Sequence, residues 1–351
     1  MPETISAPAW ISRPSWKANE LNFRAAACTG ALYHIELYLV CGDLPDLTAG
    51  VYHFGPHDFA LRRLRAGDYR EVLVEASGDE PAVSAAPAVI VTTSVYWRNS
   101  WKSQARAYRH AYWDSGTILA NLLAVGAANQ VPLKVITAFV DSTVNRLLDL
   151  DDQREVALQL VPVGLNVGEV IPPQLEVIPL ELDVAPYSSR EVEYPPMNDM
   201  HMASSVHSAA EVKELRGNPP NIQEPEPLAK LFPLELANET ELATDPIEAV
   251  ILRRGSSRRF RRTPITHREL STILDQASRN IPADFFYGPG DMPRVGSIQA
   301  LTQIYLIVQD VEGLPSGSYV YQQERAALEQ LKLGDFRERA GHLGLQQALA
   351  S

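Results

Sequence analysis

The chain has 351 residues, 45% of them hydrophobic, enough to bury a full core and to make two domains. Its net charge of −12 argues against a general nucleic-acid or anionic-membrane binder, because phosphate contact is driven by Lys and Arg. Cys28 and Cys41 are too few for a disulfide framework, and no apolar run has secretory or membrane-spanning length, so a cytoplasmic protein is expected. The eight histidines give no HxxxH on a convincing helix and no Cys/His cluster. No metal site is therefore expected, and His53 and His57 read as surface residues beside a turn.

After a Pro- and Trp-containing lead-in over residues 1–19, Leu32 to Val40 reads as a buried strand. Val51 to Phe54 is its hairpin partner, across a loop holding Gly42, Pro45 and Gly50. Ala88 to Val95, rich in Val, Ile and Thr, is the next strand. Ser103 to Ala128 is the longest helical pattern, with Ala111, Ser115, Ile118, Leu119 and Leu122 at spacings of three and four. The small residues on that stripe predict close packing. Leu133 to Phe139 is predicted as a strand, Asp141 as the cap of a short helix carrying Val144, Leu147 and Leu148, and Val156 to Val163 as a further strand.

Residues 166–244 are rich in proline, with Pro172-Pro173, Pro195-Pro196 and Pro219-Pro220, and read as an extended connector draped over the surface. Only Ser208 to Arg216 looks helical there, behind a Ser208/Glu211 capping box. Asp245 is a suitable N-cap and Pro246 a suitable first residue for a helix with Ile247, Val250 and Ile251 on one face. A Thr266/Glu269 capping box opens the next helix, whose buried stripe is expected at Leu270, Ile273, Leu274 and Ala277. A Gly/Pro-rich loop from Tyr287 to Gly296 follows.

One segment is written twice. At an offset of 267, Tyr38 falls on Tyr305, Gly50 on Gly317, Tyr52 on Tyr319 and Leu61 on Leu328, and Gly67-Asp68-Tyr69-Arg70-Glu71 falls on Gly334-Asp335-Phe336-Arg337-Glu338. Solenoid periods are about 20–50 residues, so this spacing indicates a duplicated domain. Copy one is expected over residues 20–165 and copy two over residues 245–351. The surroundings of the repeat differ, so each copy is expected to be incomplete: copy one without the helix that precedes the repeat in copy two, and copy two without the strands and long helix that follow it in copy one.

The most specific local signal is Arg254-Gly255-Ser256-Ser257-Arg258-Arg259-Phe260. Arg254 and Arg258, four residues apart with the Ser256 hydroxyl between them, can converge on one phosphate. Six arginines lie between Arg253 and Arg262, however, and a solvated basic patch fits them equally well. Joined to the Thr266 to Ala277 helix and the Val311 to Tyr321 segment, this run resembles the nitroreductase family. The nearest branch is the dehydrogenases of thiazole/oxazole-modified peptide biosynthesis. Copy one resembles the same branch through Cys28 to Tyr38, Gly50 to Phe54, Gly67 to Arg70, Trp97 to Lys102 and Trp113 to Asn121.

The resemblance implies an α+β fold, with a mixed, mostly antiparallel sheet flanked by helices and doubled as a tandem pseudo-dimer. It implies FMN bound at the junction of two copies, its phosphate held by Arg254, Ser256 and Arg258 and its ring reached by the Cys28-Thr29-Gly30 turn. An ordinary glycine turn is the plainer reading of that last segment. Lys102 is the candidate general base, against the alternatives that it pairs with a surface carboxylate or ends a strand. Arg106 and Arg109 are candidate ion-pair residues, with Asp114 as their partner on the same helix.

The expected activity is hydride transfer through the flavin to or from a small-molecule or peptide substrate, with NAD(P)H as a candidate donor. Neither nucleic acid nor membrane is expected as a partner, whereas an internal pseudo-dimer and a homo-oligomer both are compatible. Two alternatives stay open: a flavin-free binding or scaffold partner in a peptide-modifying complex, and a fragment of a longer enzyme.

Overall fold

The structure, a computed structural model, describes residues 23–166, 171–173, 175–180, 182, 187–217, 224–255, 257, 261, 263–285 and 302–343. Its described residues fall into two compact units.

The first unit is built on an antiparallel sheet of five strands in the order β3-β2-β1-β4-β5. These are β1 (Ile35–Cys41), β2 (Gly50–Gly55), β3 (Ala60–Ala66), β4 (Ala88–Val95) and β5 (Glu155–Val163). β1 and β4 pair along their whole length, from Ile35↔Ser94 to Cys41↔Ala88. Both central strands lie under helices and read as near-continuous apolar runs, as strands covered on two faces do. One core joins Tyr38, Val40, Val89 and Val91 to Val72 and Leu73 of α1 (Arg70–Ala76) and Val144 and Leu147 of α5 (Asp141–Leu148). α2 (Pro81–Ser84) leads from α1 toward β4.

A second core sets Ile35, Val156 and Leu158 against Ala107 and Ala111 of α4 (Ala107–Ala128). The small residues of the α4 stripe do bring the helix close to the sheet. Ser115 donates to Gln159 on β5, and Thr92 on β4 donates to the same Gln159 oxygen at 2.6 Å. A bulge between Thr92 and Thr93 displaces the pairing with β5 by one residue at this point. The expected helical start at Ser103 is broken up. α3 (Trp97–Ser103) and a single 3₁₀ turn, Gln104–Arg106, precede α4, with Gln104 at φ +54° marking the corner.

Leu133 to Phe139 is not a strand. Only isolated bridges, Leu133↔Val163 and Ile136↔Leu160, tie it to β5, and Val135 bridges Ala283. Asp141 lies inside the first turn of α5 and not at its N-cap, and its carboxylate accepts from the Val206 N–H at 2.7 Å. Among its described residues, part of the proline-rich stretch packs into the cores. It forms an unanticipated helix, α6 (Pro195–Ser204), and then α7 (Ala209–Gly217), and it buries Met197, Val206 and Val212 in the two cores. Prolines at the first two positions of α6 are compatible with a helix start, which a reading of Pro-Pro as a breaker overlooks. α8 (Ile247–Arg253) also belongs to this unit, with Pro246 and not Asp245 at its N-cap.

The second unit contains a four-stranded antiparallel sheet in the order β6-β11-β10-β8. Its strands are β6 (Leu231–Pro233), β8 (Tyr305–Val308), β10 (Gly317–Gln322) and β11 (Ala327–Leu333); β7 (Ile265–Thr266) pairs in parallel with β9 (Val311–Glu312). β6 comes from the stretch read as a connector. α9 (His267–Ser278) carries the expected capping box: Thr266 Oγ1 accepts from Glu269 N, and Glu269 accepts from Thr266 N at 2.8 Å. Its stripe is narrower than expected. Leu274 is buried and Leu270 partly so, whereas Ile273 is 60% exposed and Ala277 is also on the open face.

Part of the repeated segment keeps its element bounds, while β8 covers only the last four residues of the stretch that matches β1. At the same offset β2 coincides with β10, β3 with β11, and α1 with α10 (Arg337–Leu343). Both hairpins carry their bulge at the same place, between Val51 and Tyr52 and between Ser318 and Tyr319. No described helix is long and apolar enough to cross a membrane.

Candidate active site

The segment before β1 turns sharply at Cys28, Thr29, Gly30 and Ala31. Gly30 lies at φ +63°, and two residues with side chains share its left-handed region, Ala31 at +56° and Tyr33 at +49°. Each such non-glycine residue costs of order 1–3 kcal/mol and persists only where its surroundings over-determine it. Asp114 of α4 is what does so here. It is 4% exposed, and its Oδ1 accepts from Thr29 N at 2.9 Å and Thr29 Oγ1 at 2.8 Å, with the N–H shared to Oδ2 at 3.0 Å. Oδ2 also faces Cys28 Sγ at 3.1 Å and His34 Nε2 at 2.8 Å. The other nitrogen of His34, Nδ1, meets Ser94 Oγ on β4 at 2.9 Å, and the Tyr33 N–H points at Cys28 Sγ from 3.1 Å.

These contacts set the ionisation of the group. Burial, reinforced by the hydrogen bond to Asp114 and its charge, pushes the Cys28 thiol up to about 12, so Cys28 is a protonated donor at neutral pH and not a resting thiolate nucleophile. Burial works to raise the Asp114 carboxyl too, but the bonds from His34, Cys28 and Thr29 outweigh it and hold the group below its ordinary value. Next to the turn, Glu36 is ringed by His53 at 2.9 Å, Arg98 and Arg24. Against the opposing effect of burial they likewise keep it low. His53 is thus a strand residue bound to a buried acid, not the surface residue expected. His57 is exposed.

Lys102 comes to the turn. A Cβ placed on Gly30 would lie 3.1 Å from Lys102 Nζ. Lys102 sits in α3 and ends no strand, is exposed, and makes no ion pair among the described residues. Arg254, at the end of α8, donates to Ala25 O at 3.1 Å, three residues before Cys28. Within the first unit the structure therefore gathers Cys28, Thr29, Gly30, Lys102 and Arg254. Ser256 and Arg258 lie outside the described residues. Arg106 and Arg109 do not pair with Asp114, which spends its oxygens on the turn, and Arg109 instead lies over the Trp113 ring at 5.7 Å.

Sequence reasoning missed His34, Ser94 and the true work of Asp114. An acid beside Ser115 on the small-residue stripe of α4 was the available signal, since a carboxylate buried against a sheet needs partners. Their identity was not available, because they come from about 80 residues away. A small cavity, with room for about one water molecule, opens between Arg24, Cys28, Tyr33, Asp114 and Ile118.

No protein-family model matches the chain. A protein of Methanocaldococcus jannaschii that carries a nitroreductase name is 23% identical over 149 residues, covering 42% of this chain and 74% of that one. A solved structure from Anabaena variabilis, likewise named as a nitroreductase, superposes with a TM-score of 0.71 at 22% identity, covering 96% of this chain and 68% of that one. The chain has a nitroreductase-like fold. The Escherichia coli microcin synthetase McbBCD complex, solved with truncated pro-MccB17 bound, aligns at 23% identity over 45% of this chain and 60% of that one, with a TM-score of 0.38, too low to bear on the fold.

Proposed function

We propose that the chain is an FMN-dependent oxidoreductase whose flavin lies against the Cys28-Thr29-Gly30 turn and whose phosphate is held by Arg254, with Ser256 and Arg258 completing the cradle. The observation that carries this reading is the meeting, within one unit, of three separate segments: the turn, Lys102 at Gly30, and Arg254 beside Ala25. The residues present fit such a group. Gly30 is exposed and has no side chain at a position where even a Cβ would crowd Lys102, and an exposed guanidinium stands beside the segment leading into the turn.

When bound, the flavin supplies hydride transfer, and NAD(P)H or the substrate itself is the donor. The protein's own share is positioning. Asp114 holds the left-handed turn in one shape, so the backbone at Gly30 needs no ordering when a ligand arrives. Arg254 contributes charge-assisted hydrogen bonds to phosphate oxygens. Lys102 Nζ holds or accepts a proton from a substrate, a small molecule or a peptide, brought over the exposed side of the turn.

Titration of the purified chain with FMN tests the reading, followed by flavin fluorescence and by the oxidised absorbance bands. Quenching that saturates at one equivalent supports it. Absence of any quenching or spectral shift overturns it in favour of a flavin-free binding or scaffold partner.

A further inference from the structure

We infer that Cys28, His34 and Asp114 form a binding site for a single divalent transition-metal ion, zinc being the best fit, with a water molecule as fourth ligand. This stands apart from the flavin reading, since it uses the side chains beneath the turn and not its exposed face. The three candidate ligand atoms, Cys28 Sγ, His34 Nε2 and an Asp114 oxygen, all lie within 4.8 Å of one another. They come from three different elements: the turn, the entry to β1, and α4.

A sulfur, an imidazole and a carboxylate with one position left over is a donor set that zinc takes in four-coordinate sites. Bond lengths of about 2.0–2.3 Å at tetrahedral angles put such ligand atoms roughly 3.3–3.6 Å apart. The metal-free distances of 3.1 Å for sulfur to Oδ2 and 2.8 Å for Nε2 to Oδ2 need open by only about half an ångström.

The surroundings resemble those of a metal site more than those of a chance hydrogen-bond knot. Each ligand is already aimed by a second group: Asp114 Oδ1 by the Thr29 N–H and hydroxyl, His34 Nδ1 by Ser94 Oγ, and Cys28 Sγ by the Tyr33 N–H, which favours a thiolate sulfur. His34 is fully buried and cannot serve as a surface imidazole. A small cavity reaches two of the three ligands, Cys28 and Asp114.

The exchange balances. The metal takes the place of the thiol proton between Cys28 Sγ and Asp114, and that proton leaves to solvent. The imidazole proton moves from Nε2 to Nδ1, where it is donated to Ser94, and Asp114 stays ionised throughout. One proton is released for each ion bound. The ion would close the strained turn onto α4 and β1.

The test uses the full chain, stripped with a chelator and free of flavin, titrated with Co²⁺. The expected result is one equivalent bound, with a thiolate-to-cobalt charge-transfer band and the visible bands of a four-coordinate centre, both abolished by zinc. Zinc should also protect Cys28, mapped by mass spectrometry, from alkylation in the wild-type chain by tenfold or more. C28S should lose the charge-transfer band while C41S keeps it, and H34Q and D114N should weaken binding at least tenfold. No charge-transfer band at stoichiometric cobalt overturns the inference, as does a band that survives in C28S. Should a variant fail to fold, the band and the zinc protection in the wild-type chain decide the matter alone.

Discussion

Tyr52 and Tyr319 lie 267 residues apart and make the same bond. Each hydroxyl donates to the carbonyl of the residue four positions earlier, Tyr52 to Thr48 at 2.7 Å and Tyr319 to Pro315 at 2.6 Å. Each ring follows a glycine that the fold requires for the same reason. A Cβ on Gly50 would sit 2.7 Å from the Arg65 carbonyl oxygen, and one on Gly317 would sit 2.4 Å from that of Lys332, the equivalent residue of the facing strand.

Gly50→Ala and Gly317→Ala are therefore expected each to destabilise the unit that contains it by about 1–3 kcal/mol, since the contact is with backbone that cannot turn aside. Urea unfolding followed by circular dichroism measures this. Wild-type midpoints in both variants would show that the bulged hairpins relax freely and that the shared glycine has no packing role.

Arg216 ties α7 to the first unit. Its Nη2 donates to Ser77 O at 2.8 Å and its Nε lies 3.1 Å from Glu80, which is 2% exposed and also meets Lys134 at 2.6 Å. Removing one partner of a buried pair costs about 3–5 kcal/mol. Arg216→Ala should fall near the lower end of that range because Lys134 still neutralises Glu80. Thermal unfolding of the variant checks this, and a loss below about 1 kcal/mol would return the segment to the status of a loose connector.

Glu155, at the start of β5, accepts hydrogen bonds from Thr93 and from Tyr38, the latter at 3.2 Å. Burial raises its carboxyl above the ordinary value, with the nearby Glu36 charge acting in the same direction. For an acid whose folded value is raised, the contribution to stability is complete below the unfolded value of about 4.3 and is lost as pH rises through the folded value. Glu155→Gln keeps an acceptor for both hydroxyls and removes that loss. The variant should gain stability relative to wild type as pH rises from about 4 to 8. Urea midpoints at several pH values read this directly, and two parallel curves would mean that Glu155 does not titrate on folding.

β1, β2, β4, β5 and α9 were legible in the sequence because apolar alternation and capping boxes are local signals, whereas β3, with Arg62, Arg63 and Arg65 in its run, carries no such signal and was not read as a strand. α6 was not, since Pro195-Pro196 reads as a breaker unless it happens to start a helix. Leu133 to Phe139 has the composition of a strand, but only isolated bridges join it to β5, and whether an apolar run gains a full ladder depends on its neighbours. At the site, Cys28, Thr29, Gly30, Lys102 and Arg254 could be named through family resemblance. The group that shapes the turn, Asp114, could not be assigned its partners, because the carboxylate reaches Thr29 and Cys28 across some 85 residues of chain.

The final prediction separates binding from chemistry at the proposed flavin site. Arg254 is exposed and its bond to Ala25 O lies at the surface, so Arg254→Ala should leave the melting of the flavin-free chain nearly unchanged. A charge-assisted hydrogen bond to phosphate is worth about 1.5–3 kcal/mol, so the same variant should weaken FMN binding about tenfold or more. Lys102→Ala should do the opposite, because Lys102 stands at the face where the substrate arrives and not at the phosphate. FMN affinity should stay within about threefold while the rate of flavin reduction by substrate falls by roughly 10²–10⁴, the usual worth of a positioned acid or base. Fluorescence titration and stopped-flow flavin absorbance measure the two quantities on the same preparations. If Lys102→Ala weakens FMN as much as Arg254→Ala and leaves the reduction rate intact, Lys102 is a binding residue and its assigned role in proton transfer is wrong.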